Sequence, residues 1–276
     1  MVGVGVALAL GDALATVLAA VVLGEGALAA GGGSSRRHAT ASMHPRPIAW
    51  SKRMRGHAIR SVMSLLSLLA HARVVERRSA LSTEEIASLG ELPAETARYA
   101  DKRRDEFLLG RWVAKRALAE LGAEVGVLPI AAERAPRWPA GFVGSITHCA
   151  GYAGAAVAPA GTLRGVGIDA QPVAMERSRE ALRRTATDAE IALLAIADEM
   201  TARTVAFSAK EALYKALAPT VGGYFGFEAA RVSRGAGDEI ELTLTRELHS
   251  DLLANRTFLV RYSVSSGVAF AAVEWR

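Results

Sequence analysis

Gly165-Val166-Gly167-Ile168-Asp169-Ala170-Gln171-Pro172 reads as a strand enclosed on both faces. Glycine, Val166 and Ile168 suit a buried ladder, and Pro172 ends the pairing. Side chains alternate along a strand, so Asp169 and Gln171 face the same side. A second stretch, Phe207-Ser208-Ala209-Lys210-Glu211-Ala212-Leu213-Tyr214-Lys215, reads as a helix. Ala209, Ala212, Leu213, Ala216 and Leu217 form an apolar stripe at helical spacing. Ser208, Glu211 and Lys215 lie on another face, where residues three or four apart are neighbours. If strand and helix meet, Asp169 and Glu211 converge beside Lys210 and Lys215. That grouping suits a magnesium ion and a phosphate. Taken singly, each stretch also has a plainer reading: Asp169 as a turn residue, and Glu211 with Lys215 as a solvated ion pair of about 0.3–0.5 kcal/mol.

Two segments upstream carry related chemistry. Residues 94–121 predict a helix, with Phe107, Leu108, Trp112, Ala114, Leu118 and Leu121 near helical spacing and Gly122 as its stop. On it, Arg111 and Lys115 are i,i+4 neighbours and Arg103 lies two turns earlier. This cationic stripe is either a solvated surface or a phosphate grip. The rigid loop Arg134-Ala135-Pro136-Arg137-Trp138-Pro139 leads into Gly144-Ser145-Ile146-Thr147-His148. His148 at a strand end is either a satisfied structural residue or a functional one.

In this order the four segments resemble the 4′-phosphopantetheinyl transferases of the larger type, similar to enterobactin synthase component D, that serve siderophore, peptide and polyketide synthases. The family patterns run approximately G-[IV]-[GD]-[IV]-D-x-E and F-[SC]-x-K-E-[AS]-x-[YF]-K. The second is matched at every defined position, while the first departs at Gln171, where most members carry glutamate. The resemblance covers residues 80–276. It implies an α+β fold of two similar halves, each a small antiparallel sheet packed on a long helix, with the active site between them. The first half is expected over 80–164 and the second over 165–276.

The resemblance also implies the reaction, which moves 4′-phosphopantetheine from coenzyme A to a serine of an apo acyl or peptidyl carrier protein. Mg2+ would be held by Asp169 and Glu211, with Gln171 as a third or water-bridged contact. Lys210 and Lys215 would stabilise the departing phosphate, and Glu211 or a water it orients would take the serine proton. Arg103 and Arg111 would grip the 3′-phosphate of coenzyme A. Thr147 and His148 would touch phosphates, and Arg134 would substitute for a lysine found in many relatives. The arginines at 177, 179, 183 and 184 offer a docking face for acidic carriers. The alternative is a coenzyme A-binding protein without transfer activity, Gln171 marking a decayed metal site.

Composition bounds the rest. A chain of 276 residues with 51% hydrophobic content can bury a core. Its lone cysteine, Cys149, fits a reducing, cytoplasmic setting. The isoelectric point near 9.6 invites a nucleic-acid reading. However, residues 36–78 hold ten Lys/Arg against one acid, so the remainder is net negative. The basic excess lies away from the candidate site, and no nucleic-acid partner is expected. Residues 1–33 are Ala/Val/Leu/Gly-rich and admit three readings: a signal peptide, a membrane helix, or a plain extension. No targeting pattern is complete, so residues 1–79 are expected to form a poorly ordered extension and basic linker, of which residues 1–75 are dispensable for catalysis, on a monomer without membrane association.

Overall fold

A computed structural model describes residues 64–131, 135–149, 151–174 and 178–276. Its first strand, β1 (Arg73–Arg77), is an edge of a three-stranded antiparallel sheet completed by β2 (Phe142–Cys149) and β3 (Tyr152–Pro159), in the order β1-β3-β2. Between β1 and β2 run the short α1 (Thr83–Ala87) and the long α2 (Asp101–Glu120). Ser82 caps α1 and Glu85 reciprocates, the capping box that the sequence signals. The helix expected over 94–121 is interrupted: a 3-10 turn at Ala94–Arg98 gives way to two extended residues, Tyr99 and Ala100. That bend lays the Tyr99 ring edge-on to Phe107, 5.8 Å away, with Arg103 over its face. At the other end Gly122, at φ +78°, and the bond from Ala123 N–H to Leu118 C=O close α2 in a Schellman arrangement.

Strand β3 is built almost wholly from Ala, Gly and Val because both its faces are covered. Ala153, Ala155 and Val157 pack on α2, while Ala156 and Ala158 face the second sheet. That sheet begins with β4 (Gly165–Pro172). After it come three helices: α3 (Arg179–Arg183), α4 (Asp188–Ala192) and α5 (Glu199–Val221). Four antiparallel strands follow: β5 (Ala230–Ala236), β6 (Glu239–Leu244), β7 (Thr257–Ser265) and β8 (Val268–Trp275). The order is β4-β8-β7-β6-β5. One face of this sheet buries the apolar stripe of α5, including Ala209, Ala212, Leu213, Ala216 and Leu217. The other face, at β4 and β8, meets the first sheet through Val166, Ile168, Ala170, Phe270 and Ala272. The architecture is α+β, with two antiparallel sheets each backed by a long helix, as expected.

The N-terminal boundary is earlier than expected. β1 lies before residue 80, as does a 3-10 turn at Leu65–Ser67, and Leu65, Leu68 and Val74 are fully enclosed in the core between the sheets. Residues 64–79 therefore belong to the folded unit, and the stretch read as linker supplies an edge strand. This segment is also tied to the far end of the chain. Glu274 on β8 accepts the backbone N–H groups of Ala70, His71 and Ala72 and pairs with the His71 ring at 2.8 Å. Burial opposes the Glu274 charge, but the bonds from His71 and Ala72 outweigh it and hold the carboxyl below its ordinary range. Residues 1–63, with every reading placed on them, lie outside the described residues. Among the described residues no helix is long and apolar enough to cross a membrane.

Candidate active site

The two glycines of the β4 motif bring the site together. A Cβ on Gly167 would overlap the carbonyl of Ala212, and one on Gly165 would overlap that of Ala216. Helix α5 therefore rests with its backbone directly on β4, which no other residue type permits. Gly167→Ala is expected to push the helix off the strand. The melting temperature should fall by about 5 °C or more, since overpacking costs about 1–3 kcal/mol, and turnover should fall with it. A melting curve and a rate like those of the parent would refute this.

The contact places Asp169 against α5. Ser208 Oγ donates to Asp169 Oδ2 at 2.6 Å, and Lys215 Nζ reaches Oδ1 at 2.7 Å and the Ile168 carbonyl at 3.1 Å. Ser208 and Lys215 occupy the helix face inferred from spacing, with Glu211 between them. Burial disfavours the Lys215 charge, but Asp169 and then Glu211 outweigh it, so its pKa is raised. It stays an ammonium at neutral pH. Gln171 follows Asp169 on the same side of β4, half-buried and paired across to Ala269.

From the first half, β2 abuts the free edge of β4. No ladder forms there. Instead Ser145 Oγ accepts the Ile168 N–H at 3.1 Å and Thr147 Oγ1 accepts the Ala170 N–H at 2.9 Å. The next residue, His148, lies 3.7 Å from Glu106 on α2. Its ring is open on one side and hemmed in on the others. That enclosure lowers its pKa; Glu106 and Asp169 pull it up, and Lys215 and Arg103 push it down. His148, Arg103, Asp169 and Lys215 are thus within electrostatic reach of one another across the seam between the halves. Further along α2, Arg111 is buried with its Nε on the Leu128 carbonyl at 3.1 Å and its guanidinium 4.7 Å from the Phe107 ring. Burial lowers its pKa to about 10. No carboxylate of the described residues pairs with it.

Comparison with known proteins decides the family. The 4′-phosphopantetheinyl transferase N-terminal domain matches residues 92–158, and the 4′-phosphopantetheinyl transferase superfamily domain matches residues 165–265. The transferase Npt of Nocardia iowensis is 36% identical over 168 residues, which is 57% of this chain and 71% of that protein. The chain belongs to the 4′-phosphopantetheinyl transferase family. The transferase PptT of Mycobacterium tuberculosis is 40% identical over 139 residues, 50% of this chain and 61% of PptT. Enterobactin synthase component D of Salmonella typhi is 33% identical over 159 residues, 56% of this chain and 65% of that protein. The chain is accordingly an enzyme, a transferase of the type similar to enterobactin synthase component D, and its family acts on carrier proteins.

Within this transferase, two expected site residues are employed elsewhere. Lys210 points away from Asp169. Its Nζ is buried and bonded to the Thr185 carbonyl at 2.7 Å, Glu190 at 2.8 Å and the Phe227 carbonyl at 3.3 Å, which accounts for all three of its protons. It anchors α4 and the loop before β5, and cannot stabilise a departing phosphate. Thr147 also faces inward: it is 3% exposed, its hydroxyl committed to Ala170 and, at 3.4 Å, to Asp169 Oδ1. It has no donor left for a phosphate. Lys115 leaves the cationic stripe as well, donating to the Ser88 carbonyl at the end of α1. Arg134 and Arg177 lie outside the described residues. Of the supposed docking arginines, Arg179 pairs with Glu199 at 2.7 Å and Arg183 with Asp188 at 3.8 Å. Glu106, by contrast, was not anticipated. Its position three residues after Arg103 on one helix face was the available signal.

Proposed function

We propose that this transferase moves 4′-phosphopantetheine from coenzyme A to a serine hydroxyl of an apo acyl or peptidyl carrier protein, breaking the pyrophosphate bond and releasing 3′,5′-ADP, with magnesium held at Asp169 and Glu211. The observation that carries the reading is the buried Asp169, fixed between α5 and β2 with Lys215 on one carboxylate oxygen. The donor set around it suits magnesium. The residues that would hold the ion offer oxygens: the carboxylates of Asp169 and Glu211 and, two positions along the same side of β4, the amide of Gln171. Among the described residues no group of three or more His, Cys, Asp or Glu gathers as a fuller metal cage would. Magnesium keeps several waters and needs only one or two carboxylates besides phosphate oxygens. When bound, it would polarise the attacked phosphate and offset charge on the leaving group. Lys215, held as an ammonium, supplies further positive charge to that group. Glu211 would take the serine proton directly or through a water. Arg103 and Arg111 would meet the 3′-phosphate, with His148 beside the pyrophosphate.

Arg111 supports the coenzyme reading because a buried guanidinium that meets no carboxylate among the described residues suits an anion. Losing a charge-assisted phosphate contact costs about 1.5–3 kcal/mol. Arg111→Ala should therefore raise the apparent constant for coenzyme A roughly 10-fold or more and that for 3′-dephospho-coenzyme A far less; equal losses would remove Arg111 from the 3′-phosphate site. The proposal as a whole is tested by labelling several apo carrier proteins with a fluorescent coenzyme A analogue, with and without magnesium. Labelling that needs both carrier and magnesium is expected. Binding of coenzyme A without label transfer to any carrier would defeat it.

A further inference from the structure

The carboxylate of Asp169 is gripped from two sides by hydroxyls, an arrangement that the proposed reaction does not by itself explain. A carboxylate rotates easily about its last torsion, which is broad and roughly two-fold. Lys215, a point charge on a flexible stem, does not fix that rotation. Two neutral donors do. Ser208, fully buried on α5, has one O–H, and it goes to Asp169 Oδ2 at 2.6 Å. On the opposite side Thr147, from β2, accepts the Ala170 N–H at 2.9 Å. With a lone pair so occupied, its single O–H is left to turn toward Asp169 Oδ1 at 3.4 Å. One donor comes from each half of the fold, and each meets a different oxygen.

We propose that Thr147 and Ser208 are positioning residues that set the plane of the Asp169 carboxylate before any cation arrives, so that the seam between the halves and the metal site are tuned together. This rests on reading Asp169 as a magnesium ligand. Groups that orient a ligand in this way typically change metal affinity 10–100-fold when removed. The hydroxyls take no part in bond making. Thr147 also serves the seam: without its oxygen the Ala170 N–H is left unpaired.

Calorimetric titration of magnesium into the coenzyme A-saturated full chain, with no carrier present, tests this without turnover. Ser208→Ala and Thr147→Val are each expected to weaken magnesium binding roughly 10-fold or more, and Thr147→Ser to restore most of it. A purely structural role would instead lower the melting temperature and leave the magnesium affinity unchanged. Ser208→Ala leaves the seam bonds in place, so it decides the matter if Thr147→Val does not fold. Parent-like magnesium binding by folded Ser208→Ala and by Thr147→Val, with binding lost in Asp169→Asn, overturns the positioning role alone. Parent-like binding by Asp169→Asn overturns the metal assignment on which it rests.

Discussion

Asp169→Asn is expected to lower the transfer rate at least about a thousandfold, roughly 4 kcal/mol in the barrier, while the protein remains folded. The asparagine amide keeps the volume of the side chain and can still accept from Ser208, so the contact between β4 and α5 survives. What it loses is charge. Lys215 then sits beside a neutral group, and a cation at this place has one carboxylate instead of two. The melting temperature should drop by only about 2–4 °C, because Glu211 remains to partner the ammonium electrostatically. Alanine would be a poorer probe, as it leaves the hydroxyls of Ser208 and Thr147 without their acceptor. Glu211→Gln should lose turnover to a similar extent. Single-turnover labelling of an apo carrier, read beside a thermal melt, measures both quantities. A rate above about a tenth of the parent in either variant would overturn the assignment of the metal and base roles, since removing such a group costs several kcal/mol.

The strand β4 and the helix α5 were legible because local rules agreed there, the alternation of Asp169 and Gln171 and a helical stripe. Their meeting was only a condition in the sequence, and the close backbone contact at Gly165 and Gly167 supplies it. The capping box at Ser82 and the stop at Gly122 were legible for the same reason, each being fixed by residues close in the chain. Lys210 was misread because adjacency in a motif is not adjacency in space. One residue on a helix is about 100° of rotation, so Lys210 and Glu211 face different neighbours, and the partner Glu190 comes from a separate helix. Thr147 was open to correction from the sequence itself. Consecutive residues on a strand point to opposite sides, so Thr147 and His148 could not both line one phosphate site. β5 is hard to read from the sequence, since a register shift between Val232 and Arg234 breaks its alternation. Glu106 shares a helix face with Arg103 in the sequence pattern, but its approach to His148 depends on β2 lying beside α2, a contact that no local pattern encodes.

Removal of residues 1–75 is expected to abolish the fold, against the sequence-based expectation that this cut spares catalysis. The cut takes away Leu65, Leu68 and Val74, which are 0%, 3% and 6% exposed. Truncating a buried leucine costs about 2–5 kcal/mol, so the two leucines alone approach the roughly 5–15 kcal/mol that holds a typical domain together, and the loss of Val74 adds to this. Two further losses compound this. Strand β3 loses three of the five residues it pairs with, Arg73, Val74 and Val75, exposing the edge of a sheet made of small apolar residues. Glu274 loses the three N–H donors and the imidazole that meet a mostly buried carboxylate. A chain beginning at Ser64 keeps every one of these contacts and is expected to melt cooperatively. Circular dichroism melts of the two truncations decide the question. If the chain of residues 76–276 unfolds cooperatively within about 3 °C of the longer one, roughly 1 kcal/mol for a domain of this size, then β1 and the turn before it are ornaments on a core that stands without them.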